Sequence, residues 1–95
     1  MRYVIVYDIS RSKLRRNVAT LLASMGVRVQ RSAFEVDLEG AELPRLRLRL
    51  ERMIDGRTDR VVLYPLPPRS VECTIWMGSG PMDALPTRKP SYFLA

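Results

Sequence analysis

The carboxylate of Asp8 closes a short apolar run, Tyr3-Val4-Ile5-Val6-Tyr7, and four cations follow it closely: Arg11, Lys13, Arg15 and Arg16. A carboxylate at the carboxyl end of a strand can hold a hard cation, and a basic segment directly behind it can hold phosphates. Together they suggest chemistry on nucleic acid. The chain has no histidine, which removes Ser/His/Asp and Cys/His nucleophilic sites, histidine-based zinc sites and histidine acid–base pairs. Phosphodiester hydrolysis here would therefore rest on carboxylates and a hard metal. The lone cysteine, Cys73, has no partner for an internal disulfide and reads as a small buried apolar residue rather than a nucleophile. The net charge of +6, carried mostly by arginine, favours polyanions, because guanidinium groups match phosphate oxygens bidentately. A merely solvated arginine-rich surface would give the same composition.

The elements that must position these groups follow from periodicity. Residues 3 to 7 read as a strand that is apolar at every position, as expected where both faces are covered. Ser12 is the expected N-cap of a helix over about 13–25, with Leu14, Val18, Leu21, Leu22 and Met25 on one stripe and Gly26 as its stop. Residues 27 to 38 have strand composition without an Asn-Gly turn and divide into strands at 27–31 and 33–38. A second helix over 41–54 buries Leu43, Leu46, Leu50, Met53 and Ile54 and carries Arg45, Arg49 and Arg52 on another side, with Pro44 confined to its first turn. A strand over 60–64 precedes Pro65, Pro67 and Pro68, and the alternation Val71, Cys73, Ile75, Met77 predicts a short fifth strand.

The order strand, helix, strand, strand, helix, strand predicts an α+β, ferredoxin-like βαββαβ fold, with both helices on one face of an antiparallel sheet and the other face open. The aromatic signature of an RNA-recognition motif is absent from that face. The domain is expected over 1–77, and 78–95 read as a flexible C-terminal tail ending in the apolar Tyr92-Phe93-Leu94. A single domain of 95 residues buries only about 60 to 68 per cent of its unfolded surface, so a dimer interface would add to its core. No apolar run reaches the roughly 20 residues of a membrane helix, and nothing at the N-terminus looks like a signal peptide, so the expected setting is the cytoplasm, with no membrane partner.

Five segments occur together in a recognisable order: Tyr7-Asp8-Ile9-Ser10; Leu14-Arg15-Arg16-Asn17-Val18-Ala19 with Leu21-Leu22; Gly26-Val27-Arg28-Val29-Gln30-Arg31-Ser32-Ala33-Phe34-Glu35; Ala41-Glu42-Leu43 with Leu46; and Asp59-Arg60-Val61-Val62-Leu63-Tyr64-Pro65-Leu66. The set, covering roughly the first two thirds of the chain, resembles the CRISPR-associated protein 2 family, the small partner of the CRISPR integrase. The resemblance implies a homodimer packed through its sheet faces. It implies that Asp8 is the catalytic residue and Mg2+ ligand, facing its copy across the dimer axis; one carboxylate per chain is poor for a magnesium site, so symmetry, water and substrate phosphate would complete the shell. Arg15, Arg28 and Phe34 match positions implicated in the family's nuclease activity, the arginines as a phosphate clamp and the phenylalanine by packing or base stacking. Arg11, Arg16 and Arg31 complete the expected nucleic-acid-binding set. Asn17 stands where some members have a basic residue, and Arg31 where many have tyrosine.

The implied function is spacer acquisition: a dimeric nucleic-acid-binding partner of the integrase, with Mg-dependent endonuclease activity on RNA or DNA. The tail is expected to dock on the integrase. Two rivals share these residues. One is a non-catalytic DNA-bridging scaffold, and the other is a ribonuclease toxin of the virulence-associated D type, which has the same fold and the early aspartate.

Overall fold

The computed structural model describes residues 1 to 75 together with 77 and 78. Its elements are β1 (Arg2–Asp8), α1 (Ser12–Ala23), β2 (Gly26–Gln30), β3 (Ala33–Asp37), α2 (Glu42–Met53), β4 (Arg60–Leu66) and α3 (Pro68–Glu72). The strands form one sheet in the order β2-β3-β1-β4, and every neighbouring pair is antiparallel. This is the split βαβ arrangement that the element order predicts. Strand β1 is central, hydrogen-bonded along both edges.

Alternation along β1 sorts its side chains to two faces. Tyr3, Ile5 and Tyr7 turn toward the helices, where Ile5, Val18, Leu22, Phe34, Val36, Leu46 and Leu50 form the buried core. Val4, Val6 and Asp8 occupy the other face, where Val4 lies opposite Tyr64 and Val6 opposite Val62. There Val6 is 38% and Tyr64 53% exposed. Toward the opposite end of that face, the largely buried Arg2 and Glu35 are ion-paired at 3.9 Å.

Several boundaries depart from the sequence reading for local physical reasons. Ser12 is the first helical residue rather than the cap; Arg11 takes the N-cap position with no side-chain cap bond, and the Ser12 hydroxyl instead accepts from Arg15. Gly26 opens β2 instead of stopping α1, and the reason is steric. A Cβ there would collide with the main-chain carbonyl of Glu35 on the paired strand. The break between β2 and β3 falls at Arg31-Ser32, with a register shift between Arg28 and Gln30.

Strand β4 runs on through Pro65 to Leu66, because it is an edge strand and a missing N–H costs nothing on its unpaired side. The expected fifth strand does not form among the described residues. Pro68 stands in the first turn of α3, which takes Val71 and Glu72 into a helix, and the Thr74 hydroxyl donates to the Ser70 carbonyl. A proline at the first helical position is preorganised for that turn, and the apolar–polar alternation did not outweigh it. Cys73 is exposed rather than buried. Residues 79–95, the expected tail with Tyr92-Phe93-Leu94, lie outside the described residues, as does residue 76.

Candidate nucleic-acid interface

The split topology brings three connections to one end of the sheet: the β1–α1 loop, the β2–β3 turn and the α2–β4 turn. Asp8 ends β1 there, exposed on the open face. The Tyr7 amide donates to the Ser32 carbonyl at 3.0 Å, and the Tyr7 hydroxyl reaches the Arg31 carbonyl at 3.5 Å. The exposed Arg31 is thereby held at the same end as Asp8.

Asp59 ties the β1–α1 loop to the start of β4. One carboxylate oxygen accepts the Ser10 amide at 3.1 Å and the other accepts the Asp55 amide at 2.8 Å; the Thr58 hydroxyl donates as well, at 3.1 Å. The backbone amides of Asp55 and Ser10 are the main cause of a carboxyl pKa below the ordinary aspartate value, with Thr58 and the charge of Arg11 adding to it against the opposing effect of burial. Arg15 braces the same loop from the helix side by donating to the Ile9 carbonyl at 3.0 Å and to the Ser12 hydroxyl at 3.2 Å. The Arg11 and Arg16 side chains are exposed and make no hydrogen bond or ion pair among the described residues.

Two of the predicted site residues lie elsewhere. Phe34 is 1% exposed, opposite Ile5 in the register, with the Tyr7 ring stacked at 6.3 Å. The Arg28 guanidinium lies over the Phe34 ring, 5.1 Å from its centre. Both belong to the helix side of the sheet, whereas Asp8 belongs to the open side. Phe34 therefore has no ring face for a base, and of its two expected roles, packing or base stacking, the burial fits packing. Arg28 sits over a shallow hollow lined by Ala19, Thr20, Ala23 and Val27, three strand positions back from the Asp8 end, roughly 10 Å. The sequence reading missed Asp59 as the tie, along with Arg60, which faces Asp8 across the β1–β4 register. The available signal was topological: in this fold the start of β4 must lie beside the end of β1.

Comparison with known proteins supplies the family. The model of the family described as CRISPR associated protein Cas2 matches residues 1–73. The chain belongs to the Cas2 family. A Cas2 protein of Chloroflexus aurantiacus named a CRISPR-associated endoribonuclease is 42% identical over 82 residues, covering 85% of this chain and 88% of that protein. Another so named, from Rhodospirillum rubrum, is 45% identical over 64 residues, 67% of this chain but only 52% of that longer relative. The crystal structure of Streptococcus pyogenes Cas2 superposes with a TM-score of 0.73 at 31% identity, over 82% of this chain and 100% of that one. A chain from a solved partial Cas6-RT-Cas1–Cas2 complex has the same fold, with a TM-score of 0.66 at 23% identity over 88% of this chain and 98% of its own.

Among the described residues, this Cas2 family member brings the exposed Asp8 carboxylate and the exposed Arg11, Arg31 and Arg60 to a single end of its sheet. No group of three or more metal-ligating side chains exists among the described residues, and no helix among them is long and apolar enough to cross a membrane. Magnesium uses one or two carboxylates and completes its shell with water and substrate phosphates. An open Asp8 flanked by cations therefore fits an ion held jointly with a nucleic acid, not a resident metal cage.

Proposed function

We propose that this Cas2 family protein acts in CRISPR spacer acquisition as a homodimer that binds nucleic acid and associates with the integrase. The observation that carries this reading is the convergence of Asp8, Arg11 and Arg31 at one sheet end in a chain that the family model matches over residues 1–73. The open face supports dimerisation, since Val4, Val6, Val62 and Tyr64 form an apolar surface that the two long helices, on the other side, leave uncovered. A second copy across a two-fold axis would cover that patch with the same patch. The Cas1–Cas2 assembly of the structural relative supports the integrase as heteropartner.

Endonuclease activity with Mg2+ belongs to the same proposal. Asp8 and the partner's Asp8 would hold the ion, which supplies Lewis-acid charge and a water of lowered pKa for attack at phosphorus. This chain's own part is to hold Asp8 at the strand end through the Asp59 and Arg15 ties, and to place cationic donors for the phosphates. The names of the endoribonuclease relatives support cleavage of RNA, and the arginine surface suits DNA equally well.

The deciding experiment compares wild type with Asp8→Ala in phosphodiester cleavage, with and without magnesium, alongside duplex DNA binding. The substitution is expected to abolish cleavage and preserve binding, because it removes no cationic donor to phosphate and lowers like-charge repulsion between facing carboxylates. Magnesium-dependent cleavage that survives in purified Asp8→Ala protein would end the enzymatic reading and leave the DNA-bridging scaffold.

A further inference from the structure

Arg60 opens β4 directly opposite Asp8 in the antiparallel register. Residues so paired project to the same sheet face with Cβ atoms about 4.5–5.5 Å apart, so Arg60 shares the open face with Asp8. Such a pair ordinarily closes into an ion pair. Here both side chains are exposed and neither makes a hydrogen bond or ion pair among the described residues.

Its neighbours, by contrast, are committed. Asp59 gives its carboxylate to the Ser10 and Asp55 amides, and Arg57 pairs with Asp55 at 3.5 Å. Arg57, in the α2–β4 turn, gives its Nε to Asp55, whereas Arg60, the first residue of β4, makes no side-chain hydrogen bond or ion pair among the described residues. The Ser10–Asp59 bond joins the start of β4 to the β1–α1 loop, so Arg11, next to Ser10, and Arg60, next to Asp59, each lie one residue from an end of the same tie. Five donors in a planar fork, held on a braced strand end, match the oxygens of a phosphodiester.

We propose that Arg60 is a DNA-binding residue of the Asp8 site, gripping a backbone phosphate of a duplex that runs across the end of β1 from Arg11 to Arg60. The inference rests on the nucleic-acid-binding reading above. It places the phosphate grip on the same face as Asp8, whereas Arg28 lies on the other.

The test is duplex DNA binding against salt concentration for wild type, Arg60→Ala and Arg69→Ala, with sedimentation of each. Arg69 is exposed on α3, at the far end of β4, and controls for the loss of one positive charge. Arg60→Ala is expected to flatten the log–log slope by about 0.9 for each Arg60 of the dimer that grips a phosphate, while Arg69→Ala leaves it unchanged. An unchanged slope in Arg60→Ala, or equal flattening in both variants, would overturn the proposal. Loss of binding that accompanies dissociation of the dimer would overturn it too, since Arg60 would then be an interface residue. Wild-type protein that fails to bind duplex DNA would instead refute the underlying nucleic-acid reading.

Discussion

Phe34 offers the sharpest separation between a core role and a direct role in binding. Its ring is almost wholly enclosed, and it has two specific neighbours, the Tyr7 ring at 6.3 Å and the Arg28 guanidinium at 5.1 Å. Truncation to alanine removes the buried ring and leaves a cavity, which costs about 3–5 kcal/mol. Against a total stability of about 5–15 kcal/mol, that is a large fraction. At roughly 4–8 °C per kcal/mol for a domain of this size, melting should fall by more than about 12 °C. Phe34→Leu keeps most of the volume and loses chiefly the stacking and cation–π contributions, together about 1–2 kcal/mol. Both variants would be melted in urea and by heat at one fixed protein concentration, because dimerisation adds to apparent stability. The informative assay is duplex or single-strand binding by the leucine variant, which is expected to match wild type. A base stacked on Phe34 would contribute about 1–3 kcal/mol. A Phe34→Leu protein of unchanged melting temperature whose nucleic-acid affinity falls tenfold or more would therefore refute the core assignment.

Two further outcomes follow from the same geometry. Because two backbone amides hold Asp59 ionised below the usual aspartate range, its tie to Ser10 contributes fully above a pH of about 3.9 and is lost as pH falls through the lower folded value. The Ser10 amide resonance, followed by NMR down the acid limb, should therefore titrate with a midpoint below that of an ordinary aspartate; a midpoint at or above it would show that the tie is absent in solution. Val6→Glu or Tyr64→Glu, each placing charge on the exposed apolar face, should convert a sedimenting dimer to monomer with the helical spectrum intact, and wild-type protein that is a stable monomer at micromolar concentration would remove the sheet-face dimer.

The helices and the central strand were legible in the sequence because each rests on a local repeat. The stripe of Leu14, Val18, Leu21 and Leu22 has one helical face to bury, and the run Tyr3 to Tyr7 has the β-branched and aromatic composition of a strand, sending Ile5 and Tyr7 into the core. Asp8 was legible too, since a carboxylate ending such a run is exposed wherever the strand pairs. Elements decided by competition between local signals were less so. At Val71 and Glu72 the strand alternation expected from Val71 to Met77 and the helix started by Pro68 pointed in opposite directions, and the chain followed the proline. Pro65 reads as a stop until β4 is known to be an edge, where the missing N–H faces no partner.

The site itself divides along the same line. The residue types, charge and nearness along the chain of Asp8, Arg11, Arg15 and Arg16 are properties of one contiguous segment, which the sequence alone determines. Which face each side chain joins depends on register, and a one-residue difference in pairing reverses it. Tertiary structure alone therefore separated Arg28 and Phe34 from Asp8. It also bonded Asp59 to Ser10, 49 residues apart along the chain, and set Arg60 beside Asp8. Pairings of that span leave no periodic trace in either segment, because they arise from strand order and not from neighbouring residues.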